Sequence, residues 1–261
     1  MKKIAIVASG WHFPLSFYER MVKQKLPKSW KADYFCIAHR SPEKAESDKA
    51  GHVFNDDTRG KLDRILYNKI ATVKELELLG WNYSLEPNTV GDWGNSNQWL
   101  DKNDYTKYDL FLFTHDDNLI LNNEIFTAII KDESFDKWDI LTNSAGMPFG
   151  SIRGSFEFFK KKVLDLMGGK FDLSTVSLDR TGIETSKDDL IELYDWNNIT
   201  TPLNKLIEEH KLSIAMLSPS YRVSAYVIEG ERGYISLTHG ANTEREEEGL
   251  RFLKENKIIY V

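Results

Sequence analysis

Short unbroken apolar runs alternate along the chain with amphipathic stretches, the pattern of buried parallel strands joined by crossover helices. Residues 3–8 (KIAIVA) predict a first strand buried on both faces, which ends in the small-residue turn Ser9-Gly10-Trp11-His12, where a ligand can approach the backbone. From Pro14 onward, apolar positions at Leu15, Phe17, Tyr18, Met21, Val22 and Leu26 predict a helix stopped by Pro27. Residues 32–38 (ADYFCIA) predict a second strand that exits into His39-Arg40. Strand, helix and strand at this spacing make one βαβ unit.

Residues 42–60 are polar and read as a surface loop, whose Asp56-Asp57 pair caps a long helix with Leu62, Ile65, Leu66, Ile70, Val73, Leu76 and Leu79 on one face. A short third strand is expected over 80–87. Residues 88–97 are rich in Gly and Asn and read as turns, without the G-x-G-x-x-G spacing of a dinucleotide fingerprint, and 98–107 as a short helix. The most strand-like run, Leu110 to Phe113 within the stretch 108–123, places Asp116 and Asp117 at its exit. A helix over 125–130, a strand over 138–142 and a small-residue loop over 143–153 follow. Val163, Leu164 and Met167 then mark a helix stopped by Gly168-Gly169. Further helices are expected over 188–194, over 202–212 and from 244, with strands over 212–217, 222–228 and 234–238. No internal repeat or long linker interrupts this order. The expectation is a single α/β domain, with a mostly parallel central sheet flanked by helices and a smaller, mixed C-terminal part.

Composition narrows the partners. At 261 residues, 41% hydrophobic and 28% charged, the chain can bury a sizeable core. A net charge of −6 gives no general attraction to nucleic acid or to an anionic membrane. Cys36 is the single cysteine, so no intrachain disulfide forms, which suits a reducing, cytoplasmic setting. The apolar run of the start, MKKIAIVA, is too short for a signal peptide, and no run reaches the length of a transmembrane helix.

Carboxylates at the carboxyl end of a parallel strand face the ligand crevice, where they can hold a divalent metal and, through it, phosphate oxygens. Asp116-Asp117 has that placement. Short acids after a strand also cap local N–H groups, and the residues alone leave both readings open. His239, at the end of the expected strand 234–238, reads either as a surface or core histidine or as a metal ligand.

The order of these features resembles a GT-A fold glycosyltransferase, of the inverting, family-2-like group that uses nucleotide-sugar donors. The resemblance spans residues 3 to 245. It is carried by the Ser9-Gly10 turn, the Asn/Gly-rich 88–97, His115-Asp116-Asp117, and the run Gly154-Ser155-Phe156, helix, Gly168-Gly169-Lys170-Phe171-Asp172. It implies that residues 1–120 form a nucleotide-binding half and 121–261 an acceptor-side half. Ala8, Ser9 and Gly10 would hold the base, with His39 and Arg40 bordering it. The chain departs from the family at His115, where the motif's first acid is expected. Either His115 takes the ribose position and Asp117 the metal, or Asp116 and Asp117 share these tasks. The resemblance further implies Mn2+ or Mg2+ on Asp117 and His239, and Asp195 as the base that deprotonates an acceptor hydroxyl, with Asp188, Asp189 and Glu184 as competitors. The acceptor would be a glycan, a lipid-linked sugar or a protein. Three rivals stand beside this reading. A nucleotidyltransferase is disfavoured by the absence of Arg or Lys from Ser9-Gly10-Trp11-His12. The others are a retaining transferase and a catalytically silent carbohydrate-binding scaffold, for which His115 is the best argument.

Overall fold

The computed structural model describes residues 1–49, 69–88, 91–116, 118–120, 123–142, 156–173, 203, 205–216, 222–224 and 259–260. Its centre is a sheet built from β1 (Lys2–Gly10), β2 (Trp30–Ala38), β3 (Trp81–Leu85), β4 (Leu110–His115), β6 (Ile140–Thr142), β7 (Phe156–Lys160), β8 (Ile214–Met216) and β10 (Ile259–Tyr260). These eight strands lie in the order β10-β8-β6-β7-β4-β1-β2-β3. All neighbours are parallel except β7, which runs antiparallel to both β4 and β6. A separate antiparallel pair joins β5 (Asn118–Ile120) to β9 (Arg222–Ser224).

The continuous apolar runs follow from burial on both faces. Ile4, Ile6 and Ala8 of β1 pack with Phe17, Tyr18, Met21 and Trp81 on one side of the sheet. Ala5 and Val7 pack with Phe111, Phe113, Trp93 and Trp99 on the other. Helix α1 (Leu15–Val22) covers the first face, ending a turn sooner than the apolar spacing suggested. Helix α2 (Pro42–Lys49) takes up the start of the stretch expected to be loop.

Two expected helices are redrawn. The helix expected through Ile70 to Leu79 is confined, among the described residues, to α3 (Val73–Leu78), opened by a Thr72/Glu75 capping box. Ahead of it, Ile70 bridges Pro14, Leu15 N donates to the Lys69 carbonyl at 2.9 Å, and Ala71 N to that of Phe13 at 2.7 Å. These backbone bonds hold 69–71 extended beside 13–15, which no helical residue can match. Conversely, α4 (Gly91–Lys102) occupies most of the segment read as turns. Its Trp93, Asn95, Ser96, Asn97 and Trp99 are all buried, so tertiary packing overrides the low helix propensity of Gly and Asn. The Asp56-Asp57 cap lies outside the described residues.

Helix α5 (Ile125–Lys131) precedes β6, and β7 leads directly into α6 (Lys161–Leu166). Strand β7 was not apparent in the sequence, where 154–159 read only as the approach to a helix. After α6, Gly168 and Gly169 take φ of 68° and 76°, the left-handed stop that glycine permits, and Gly169 N returns to the Leu164 carbonyl at 2.8 Å. Of the strand expected at 222–228, the described residues Arg222–Ser224 form β9, which pairs with β5.

Gly10 closes β1 in a space too small for a side chain. An added Cβ would lie 2.7 Å from Cys36 Sγ and 2.9 Å from a Phe13 ring carbon. Gly10→Ala is therefore expected to lower stability by roughly 1–3 kcal/mol. Thermal unfolding of the variant checks this, and an unchanged melting temperature would mean that the turn yields freely.

Candidate functional site

Strands β2, β1 and β4 are adjacent and parallel, and their register brings their carboxyl ends to one level. Gly10 lies opposite Ala38 and Ser9 opposite His115. The chain crosses between these ends through two further backbone bonds, His39 N to the Gly10 carbonyl at 3.4 Å and Asp116 N to the Ser9 carbonyl at 3.3 Å. Ala8, Ser9, Gly10, His39, Arg40, His115 and Asp116 are thus brought together on one sheet edge. In an open α/β sheet this is the edge that takes the ligand.

The turn after β1 is the most constrained feature of that edge. Phe13 sits at φ 54°, rare for a bulky side chain. The N–H groups of Trp11, His12 and Phe13 all donate to the Asp116 carboxylate, at 3.0, 3.0 and 2.7 Å from Oδ2, with His12 N also 3.2 Å from Oδ1. The Tyr18 hydroxyl, brought in by α1, donates to the same Oδ2 at 3.0 Å and lies 3.4 Å from Cys36 Sγ. Burial, and next the Asp116 charge, hold the Tyr18 phenol well above its usual pKa, so it stays a donor. Burial likewise pushes the Cys36 thiol far up, which makes it a packing residue and not a nucleophile. Asp116 itself is 1% exposed. Its carboxylate serves the turn, so of the two registers open in the sequence, the one that has Asp116 facing the ligand gains nothing from this geometry.

Around the turn, the buried Arg40 donates from Nε to the Trp11 carbonyl at 2.5 Å and lays its guanidinium over the Trp11 ring, 4.5 Å from the centroid. His39 Nε2 is 3.3 Å from Gln98 Oε1, and Gln98 Nε2 donates to the Pro87 carbonyl at 2.7 Å. On the β4 side, Asn118 Nδ2 donates to the His115 carbonyl at 3.0 Å and to Thr114 Oγ1 at 3.2 Å. These bonds fix the backbone that carries the half-buried His115.

On the acceptor-side element, Phe171 is clipped to α4 by a reciprocal pair, Phe171 N to Asn97 Oδ1 at 2.8 Å and Asn97 Nδ2 to the Phe171 carbonyl at 2.9 Å. A cavity of about 270 Å³ lies there, lined by Trp93, Met167, Phe171, Asp172, Leu203 and Leu206 among others. Glu157 of β7 is fully buried, with Thr142 Oγ1 3.4 Å from its Oε1.

Several of these contacts leave no sign in the sequence. Tyr18 read as one more apolar position of a helix, Trp11 as part of a turn, and Gln98 and Glu157 carried no motif. Asp117, Asp195 and His239 lie outside the described residues. Among the described residues no group of three or more His, Cys, Asp or Glu could hold a metal ion. The chemistry of the edge bears on the ion as well: Asp116 does not fit as a ligand, since four donors already crowd its carboxylate. Also among the described residues, no helix is long and apolar enough to cross a membrane.

No family model matches the chain, and no curated protein matches it in sequence. Solved structures do. The chain is similar to the mannosyltransferase PcManGT from Pyrobaculum calidifontis, with a TM-score of 0.50, 11% identity and 88% of this chain covered. It is also similar to S. aureus TarS 1-349, with a TM-score of 0.46, 15% identity and 86% covered. It spans 58% and 60% of those two chains, respectively. The strand order, the converging exits of β1, β2 and β4 and the first of these likenesses agree, and the chain has the GT-A glycosyltransferase fold.

Proposed function

We propose that this chain is a metal-dependent glycosyltransferase that moves a sugar from a nucleotide-diphosphate donor to an acceptor hydroxyl with inversion. The observation that carries the reading is the gathering of Ala8, Ser9, Gly10, His39, Arg40 and His115 at the exits of three adjacent parallel strands within a GT-A fold. PcManGT, of the same fold, is in complex with GDP-Man and Mn2+, a donor and an ion of the kind proposed here.

In this reading Ala8, Ser9 and Gly10 present backbone to the base. His39 and Arg40 close the base side, their rings and charge held in place by Gln98 and Trp11. His115 offers an imidazole to the ribose. Asp117 and His239 would hold Mn2+ or Mg2+, which when bound neutralises the diphosphate leaving group. Asp195 accepts the proton of the acceptor hydroxyl as its oxygen attacks the anomeric carbon from the face opposite the nucleotide. One C–O bond forms, the bond to the diphosphate breaks, and the configuration inverts.

Incubating the chain with UDP-, GDP- and dTDP-sugars, with Mn2+ and with EDTA, tests this. One donor class is expected to release nucleoside diphosphate in the presence of the metal, with release falling on chelation. Failure to bind or turn over any donor would refute the assignment, and full activity in EDTA would remove the metal from it. The anomeric configuration of the product separates inversion from retention.

A further inference from the structure

We infer that Asp116 is a positioning residue, a built-in anion that occupies the backbone donors of the first β-to-α turn and so sets the wall of the nucleotide site without touching the nucleotide. Three successive N–H groups that converge after a strand, with one residue left-handed, form a nest of the kind that binds phosphate in many α/β proteins. Here Trp11, His12 and Phe13 make that nest, and the carboxylate of Asp116 fills it at 2.7 to 3.2 Å. Tyr18 adds a fourth donor from inside the core, at 3.0 Å. The nest is therefore satisfied from within the protein.

Two consequences follow from the connectivity. The peptide of Trp11 is tied on one side to Asp116 through its N–H and on the other to Arg40 through its carbonyl, so Asp116 sets where the Arg40–Trp11 stack stands. Asp116 also follows His115 directly, and its own N–H reaches Ser9, so the same residue sets the spacing between the β1 and β4 exits. Removing the carboxylate would release the three N–H groups of the turn and the Trp11 peptide that carries the Arg40 stack, while the backbone bond from Asp116 N to Ser9 stays.

The inference rests on the nucleotide-sugar reading, and the experiment separates the two. Affinities for UDP, GDP and dTDP are measured by calorimetry on the full chain, at a temperature well below each variant's unfolding, for wild type, Asp116→Ala and Tyr18→Phe. Wild type is expected to bind at least one nucleotide. Asp116→Ala is expected to lose roughly tenfold or more of that affinity, and sodium formate, but not sodium chloride at equal ionic strength, to restore part of it by refilling the nest. Tyr18→Phe, which keeps the carboxylate and three of its four donors, is expected to lose only about threefold, and it carries the test if Asp116→Ala does not fold. Unchanged or tighter binding in Asp116→Ala overturns the inference: the first outcome makes the residue merely structural, and the second means that the freed nest takes the diphosphate itself. For Tyr18→Phe alone, unchanged affinity overturns it. If wild type binds none of the three nucleotides, the nucleotide reading fails and the inference with it.

Discussion

Replacing Asp195 with asparagine is expected to lower sugar transfer about 10²- to 10⁴-fold, the contribution typical of a positioned general base. The substitution keeps the shape of the side chain and removes its ability to accept a proton. Because the proposed role lies on the acceptor side, the affinity for the nucleotide should not change, and the loss should fall on turnover alone. Parallel measurements of turnover with a saturating donor and of nucleotide binding make the check. A variant that retains full turnover transfers the role to Asp188, Asp189 or Glu184, and substitution of each in turn would find it. A variant that loses nucleotide affinity in proportion to turnover would show that Asp195 holds the donor.

Trp99→Ala should give the largest loss of stability, about 3–5 kcal/mol, through the cavity left by a fully buried indole. Trp99 lies with its ring centroid 5.2 Å from that of Phe35, 5.8 Å from Tyr108, 6.1 Å from Phe111 and 6.3 Å from Phe113, joining α4 to β2 and β4. For a chain of this size the melting temperature should fall by roughly 6–20 °C. Among the described residues its buried Nε1 has no hydrogen-bond partner. Trp99→Phe should for that reason be milder than ring volume alone suggests, since it removes an unsatisfied donor along with part of the ring. Thermal unfolding of the two variants side by side checks both statements. A small shift in Trp99→Ala would mean that α4 is held mainly by the Asn97–Phe171 clip.

The parts of the fold that could be read from the sequence are those in which one physical cause dominates. Strands β1, β2 and β4 are buried on both faces, so their runs are apolar without alternation, and their ends locate Ser9, Gly10, His39, Arg40 and His115 directly. Helix α4 was hidden because Gly91, Gly94, Asn95 and Asn97 favour turns locally. What makes Gly94, Asn95 and Asn97 helical is burial against the sheet and the bond from Asn97 to Phe171, 74 residues later in the chain. Strand β7 was hidden because an antiparallel strand of five residues abuts a helix with no turn residue between them. The part of Asp116 could not be read at all, because its donors lie 98 to 105 residues away, and adjacent acids at a strand exit look the same whether they face the ligand or the protein. The residue types named the edge; only the contacts separated the acid that serves the turn from those proposed to serve the chemistry.

The antiparallel β7 has a bearing on how the chain is made. Strands β1 to β4 and their helices are all encoded within the first 115 residues, and they can pair as soon as they leave the ribosome. Their outer strand is then Leu110–His115, whose partner on that side arrives only with Phe156–Lys160. During that interval Leu110, Phe111, Leu112 and Phe113 present an unpaired apolar strand of the kind that recruits a second chain. A nascent chain paused before β7, or a truncation that ends ahead of it, is where aggregation of this protein should begin.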